Sequence, residues 1–278
     1  MLFRSFAIGA ASHGSQRWIS IGPFSLQPSE LAKIGIILFL AAYISSKSRE
    51  MRQWKKMVIP FLFAIPIIVI VGIENLSTCI ILLAISFIMI FVATPLWVPF
   101  VVIGLIGVAG AGGLLLTQGY RMERITVWLD PAASEKGHQT IQGLYAIGSG
   151  GLFGKGLGQS MQKLGFLPEA NNDMIFSVIC EELGLFGALC VLALFFALIW
   201  RFMVIAVNAP DLYGSMIVVG VIAHIGIQVF INIAVATNTI PNTGIPLPFI
   251  SYGGSSLVFM LLEMGLVLSV SRYINVKK

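Results

Sequence analysis

Apolar residues in this chain come in long unbroken runs rather than in alternation. Seven runs stand out, at residues 31–45, 57–73, 76–93, 96–117, 174–205, 214–236 and 257–271. Most have the length that crosses a bilayer core as a helix, roughly 17–25 residues. Continuous runs without a period of two argue for helices over a membrane β-barrel. The run at 174–205 is long enough to tilt or to protrude from the bilayer.

Polar connections punctuate the runs. They are KSREMRQWKK at 47–56, a tight turn at Glu74–Asn75, a turn at Pro95, a mixed stretch over 118–172 and the Pro/Gly-rich NTIPNTGIPLPFISYGGSS. The pattern predicts an all-α, polytopic membrane helix bundle of about seven transmembrane helices. It forms a single integral membrane domain over 1–278, with 118–173 as a large extracytoplasmic loop within it.

Composition agrees with this reading. Hydrophobic residues make up 57% of the 278 and charged residues only 10%, too few charges for an ordinary soluble domain. The three cysteines, Cys79, Cys180 and Cys190, all lie in apolar runs. An odd number without metal-ligand spacing reads as small hydrophobes rather than a disulfide framework. His13, His138 and His224 form no metal-ligand spacing either. The glycines between 143 and 158 suggest a phosphate loop, but Ser149 stands where such a loop needs glycine and Gly156 where it needs Ser or Thr. A flexible or re-entrant cover is the better reading of that segment.

Charge orients the chain. The short loop with Lys47, Arg49, Arg52, Lys55 and Lys56 against the single Glu50 belongs on the cytoplasmic side. Arg201 and the tail with Arg272, Lys277 and Lys278 belong there too. The segments around Arg17, 118–172 and 238–254 then face outward. Cations in the external loop, held there against the usual bias, point to an anionic ligand at the outer surface.

Carboxylates in or beside apolar runs are the other chemical signal, because isolated ionised groups are expensive there. Glu30 and Lys33 are three residues apart and share a helix face, so they can pair. Glu181 and Glu182 lie two turns inside the fifth run and are expected to face the bundle interior, paired or protonated. Glu263 sits mid-way along the last run, either as a functional carboxylate or as an interhelical hydrogen-bond partner, for instance of Asn232 or His224. Asp173 stands at the switch from polar loop to apolar run, where it could cap the following helix or do chemistry.

Four segments together identify a family. GSQRWISIGPFSLQPSELAK, QTIQGLYAIGSGGLFGKGLGQS, QKLGFLPEANNDMIFSVICEELG and PNTGIPLPFISYGGSSL resemble, in order and position, the shape, elongation, division and sporulation glycosyltransferases of the FtsW/RodA/SpoVE family. The division-type FtsW branch looks closer than RodA. That family usually has about ten spans, so the resemblance implies about three more upstream of this chain's seven. Asn171–Asn172 stand where many relatives carry His or Gln followed by Thr. The Glu74–Thr78 turn lacks the proline usual before its Asx-Leu pair.

The resemblance implies a peptidoglycan glycosyltransferase that polymerises lipid II into glycan strands by an inverting mechanism. It sits in the bacterial inner membrane with its active site on the external face. Asp173 matches the family's essential aspartate, and a carboxylate there can take the proton of an attacking sugar hydroxyl. Gln27, Glu30 and Lys33 match the motif that contributes to the central cavity. Arg17, Arg121, Arg124, Lys155 and Lys163 are candidates to grip pyrophosphate, and Glu169 to orient substrate. A divalent cation (Mg or Mn) is a possible cofactor. The implied partners are lipid II, a single-pass class B penicillin-binding protein and the membrane, with no nucleic acid. The alternatives are a lipid II flippase or a non-catalytic scaffold of the cell-wall synthesis complex. A seven-span photoreceptor is disfavoured, since the last run has no lysine for a Schiff base.

Overall fold

A computed structural model describes residues 10–12, 15–21, 24–94, 100–102, 104–105, 119–134 and 137–274, with the side chains of 10–26, Arg52, Trp54 and 119–123 left aside. Six helices among these are long and apolar enough to cross a membrane. We call them α1 (Pro28–Ser46), α2 (Trp54–Glu74), α3 (Leu76–Ala93), α6 (Ile175–Val207), α7 (Leu212–Ala236) and α8 (Gly254–Arg272), with α4 (Gly119–Leu129) and α5 (His138–Ser149) between α3 and α6. They coincide with six of the seven runs. The run at 96–117 lies mostly outside the described residues.

Three short antiparallel strands precede α1: β1 (Ala10–Ser12), β2 (Ser15–Ile21) and β3 (Phe24–Leu26), in the order β1-β2-β3. Ile19 pairs with Leu26 and Ile21 with Phe24. Nothing in the polar segment before α1 signalled them, because the alternation in SQRWISI is too short to stand out beside the spans. The bundle remains helical in class.

The backbone divides into two compact units: Met1–Phe100 with Ile199–Ile227 and Gly253–Lys278, and Val101–Leu198 with Gln228–Tyr252. Helices α6 and α7 each contribute one part to the first unit and another to the second.

In the first unit, Pro28 opens α1 at the one position where its missing amide and fixed φ do no harm. The Asn75 side chain caps α3 by accepting from the Thr78 amide at 3.1 Å, so the turn closes without the missing proline. Ile37 and Leu40 of α1, Leu82 and Ile85 of α3, and Val218 and Val221 of α7 form a fully buried seam. Gly220 lets α7 approach closely: a Cβ there would lie 2.6 Å from Ile37 Cγ2 and 3.0 Å from Met89 Sδ. Small residues of this kind set helix contacts where lipid offers no hydrophobic drive. The outward faces carry Leu62, Phe63 and Val69, exposed as lipid-facing residues should be. Cys79 and Cys180 are buried small hydrophobes as expected, whereas Cys190 is exposed on the outer face of α6.

In the second unit, α6 is not one regular helix. Gly184 breaks it with φ +68° and ψ −167°. In an α-helix the carbonyls of residues 181 and 182 would accept from the amides of 185 and 186. Here the glycine-rich loop after α5 takes both sides of that exchange. Lys155 and Gly156 donate their amides to the Glu181 and Glu182 carbonyls at 3.0 and 2.9 Å, and Leu185 and Phe186 donate theirs to Gly151 and Leu152 at 2.9 and 3.0 Å. Only glycine fits so close an approach: a Cβ on Gly150 would meet the Cys180 carbonyl oxygen at 1.9 Å, and one on Gly184 would meet the Gly154 nitrogen at 2.4 Å.

Candidate active site

Asp173 lies just before the first turn of α6, at the end of a loop that backbone and side-chain bonds hold in shape. Within it Glu169 adopts a left-handed conformation, φ 54°, and its carbonyl accepts from the Asn172 amide at 2.9 Å. Its carboxylate accepts from the Asn172 side chain. The segment after α7 holds the loop from the other side: Ser251 Oγ donates to the Asn172 carbonyl at 2.5 Å, and the Tyr252 amide to the Asn171 carbonyl at 2.8 Å. Asn232 of α7 donates to both the Asp173 and Ile245 carbonyls at 2.8 Å, joining the two loops through one amide.

The carboxyl group itself faces a chain of neutral amides. Gln139 Nε2 of α5 donates to Asp173 Oδ1 at 3.3 Å, Asn242 Nδ2 donates to Gln139 Oε1 at 3.0 Å, and Arg124 of α4 donates to the Asn242 carbonyl at 3.2 Å. Gly244, at φ +67°, presents its bare Cα to the other carboxyl oxygen; a Cβ there would stand 3.9 Å from Asp173 Oδ2. Asp173 therefore turns toward α5 and the 242–244 loop, and Met174 is the residue that adjoins the helix.

Asp173 is only 7% exposed. Burial pushes its pKa up from the ordinary 3.8 to about 6; the nearby Glu169 carboxylate adds to the rise, while its own amide, Gln139 and Arg124 hold it down. A buried carboxyl with a pKa near working pH, at the edge of a span, suits a general base.

The other predicted site residues fall in several places. Glu30 and Lys33 pair at 2.7 Å and are buried in the first unit, where Ser256 Oγ also donates to Glu30 at 3.4 Å. Gln27 sits at the entry of α1 without a side-chain cap. Lys155 is bound to Glu181 at 2.6 Å and Lys163 to Glu182 at 2.5 Å, so their charges are already answered by protein carboxylates. Of the arginines, Arg124 reaches the Asp173 network, whereas the side chains of Arg17 and Arg121 lie outside the described residues. Glu263 bonds His224 at 2.9 Å. Gln139, Asn242 and Gly244 were legible only as parts of quoted motifs, since a neutral amide or a glycine carries no charge signal of its own.

Among the described residues no three His, Cys, Asp or Glu side chains are grouped to hold a metal ion. Asp173 and Glu169 are near enough for one to raise the other's pKa. The Glu169 carboxylate is a hard oxygen donor, the type Mg²⁺ or Mn²⁺ takes singly or in pairs alongside substrate phosphates.

Comparison with known proteins decides the family. The pattern of the FtsW, RodA and SpoVE proteins, described as "Cell cycle protein", matches residues 1–276. The chain belongs to this family. Stage V sporulation protein E of Bacillus subtilis (strain 168) is 47% identical over 272 residues, covering 96% of this chain and 74% of that protein. The probable peptidoglycan glycosyltransferase FtsW of Geobacter sp. (strain M18) is 37% identical over 268 residues, 95% of this chain and 73% of that one. Among solved structures, a chain of a peptidoglycan synthase complex that coordinates polymerization and crosslinking superposes with TM-score 0.81 at 28% identity, over 99% of this chain and 79% of that one. The rod shape determining protein RodA of Thermus thermophilus superposes with TM-score 0.70 at 28% identity, over 98% and 74%. The family places this chain in the membrane as a multi-span helical protein.

Proposed function

We propose that this chain is a peptidoglycan glycosyltransferase that polymerises lipid II into glycan strands, with Asp173 as its base. The reaction joins an acceptor sugar hydroxyl to the anomeric carbon of a donor sugar. The new C–O bond forms as the bond to the pyrophosphate of the lipid carrier breaks, with inversion, and the hydroxyl proton passes to Asp173. The observation that carries the reading is the environment of Asp173: a buried carboxyl with a raised pKa that accepts from Gln139, on a backbone carbonyl held by Asn232 at the mouth of a span.

Around it the other residues take supporting roles. Arg124, exposed beside Asn242, offers a planar guanidinium to the departing pyrophosphate; Arg17 and Arg121 are the further candidates, with Lys155 and Lys163 available only at the expense of their carboxylate partners. Glu169, whose carboxylate accepts from the Asn172 side chain, would orient the acceptor. A divalent cation would be held by Glu169 and pyrophosphate oxygens, and would supply charge neutralisation on the leaving group. By the distribution of short-loop cations, the site faces outward from the bacterial cytoplasmic membrane. A class B penicillin-binding protein is the partner that would crosslink the strands.

The pH dependence of polymerisation tests the base. Asp173 must be ionised to accept a proton, and burial sets its pKa at about 6. The rate of glycan synthesis from lipid II should hold above that value and fall about tenfold per pH unit below it. A rate indifferent to pH between about 4.5 and 7 would remove Asp173 from the proton transfer.

A further inference from the structure

The loop that completes the broken helix also exposes large apolar side chains. Leu152, Phe153 and Leu157 project from it, Phe153 at 80% and Leu157 at 76% exposure. Three large apolar side chains this exposed within six residues need something other than water to cover them. Its charges do not share that surface's fate. Lys155 and Lys163 are engaged by Glu181 and Glu182, and those carboxylates also accept from Ser160 Oγ at 2.5 Å and the Gly158 amide at 3.0 Å. The polar side of the loop is closed on the protein; the apolar side is open.

What covers the open side follows from its attachment. The Leu152 carbonyl accepts from the Phe186 amide, and Leu185, Phe186 and Leu189 of α6 are exposed apolar residues of a membrane-spanning helix. From Leu185 to Arg201, the first cation in α6, the helix rises about 25 Å at ~1.5 Å per residue. That is close to the roughly 30 Å of a hydrocarbon core. The break at Gly184 thus falls near one membrane boundary, and the loop that repairs it falls there too. At that depth broken backbone needs partners from protein, which residues 151–156 supply.

We propose that residues 150–157 are a membrane-interfacial element whose Leu152, Phe153 and Leu157 side chains are seated in the acyl chains of bulk phospholipid. The occupant is ordinary bilayer lipid, because the apolar face is continuous with the lipid-facing side of α6. Interfacial segments bind by this combination of inserted aromatic or aliphatic side chains and a satisfied polar face. The element also anchors, at headgroup level, the chain that leads 16 to 23 residues later to Asp173.

Photo-crosslinking tests this directly. A benzophenone amino acid is placed at Phe153, at Leu157 and, as the lipid-facing reference, at Phe186, in the full chain folded in phosphatidylethanolamine/phosphatidylglycerol vesicles without lipid II. After irradiation, intact mass spectrometry should show adducts of one phospholipid mass at all three positions, with Phe153 and Leu157 giving yields within about threefold of Phe186. Lipid adducts at Phe186 with none at Phe153 and Leu157 would overturn the proposal. So would adducts at those two positions that form only when lipid II is added, or that join two protein chains. Two probe sites guard against one variant failing to fold.

Discussion

At the scale of single residues, Asp173 is held in a setting that favours its neutral form, and this has a consequence for stability. Its pKa in the folded chain, about 6, lies above the ordinary 3.8. The fold therefore gains from the protonated carboxyl at low pH and loses that contribution as pH rises through about 6. At roughly 1.4 kcal/mol per pH unit the difference is about 3 kcal/mol. Asp173→Asn keeps the shape and the bond from Gln139 without the charge. In detergent it should melt higher than the parent at pH 8, with the gap closing by pH 4. An Asn variant less stable than the parent at pH 8 would mean the carboxylate is stabilising in its ionised form. The same residue was legible beforehand as a carboxylate at a polar–apolar switch. Gln139 and Asn242, which complete its surroundings, were legible only inside motifs: neutral amides leave no trace in charge or hydropathy, and they lie 34 and 69 positions away along the chain.

At the scale of elements, one buried pair of opposite charges lies within a single helix. Glu30 and Lys33 of α1 lie 2.7 Å apart with side chains 9% and 3% exposed. In such a setting, removing one partner strands the other, at a cost of about 3–5 kcal/mol, whereas removing both is far milder. Glu30→Gln and Lys33→Met should each lower thermal stability strongly, and the double variant should recover a large part of the loss. Strictly additive losses would mean that the two side chains act separately. This pair was legible from its spacing alone. The pairs Lys155–Glu181 and Lys163–Glu182 were not, because 26 and 19 residues separate the partners and no helical period links them. The Gly184 break was hidden for a related reason. A single glycine inside an apolar run is tolerated by a helix, and only the close approach of residues 150–156 reveals why it is there.

At the scale of the whole molecule, the six apolar runs that fall within the described residues are all helices long and apolar enough to cross a membrane, as length and hydropathy dictate. The small sheet before α1 escaped because three short strands carry little periodic signal. Orientation rests on the cations at 47–56. Cysteine placed at Ser134 should react with a membrane-impermeant maleimide added to intact cells, and cysteine placed at Ser48 should not. The reverse pattern would put Asp173 on the cytoplasmic side, where an extracytoplasmic polymerase has no use for it.

The central claim is that Asp173 carries the chemistry of glycan polymerisation. A general base is worth roughly 10²–10⁴-fold in rate, and Asn in its place preserves size and hydrogen bonding. The decisive measurement supplies lipid II in detergent to the full-length protein with the proposed transpeptidase partner and follows glycan polymer on a gel. Micelles have no two sides, so lipid flipping cannot contribute. We expect polymer from the parent and at least about a hundredfold less from Asp173→Asn, with expression and partner binding unchanged. Polymer from the variant at near-parental rates would contradict the role of Asp173, and an intact parent complex that makes none would contradict the polymerase itself.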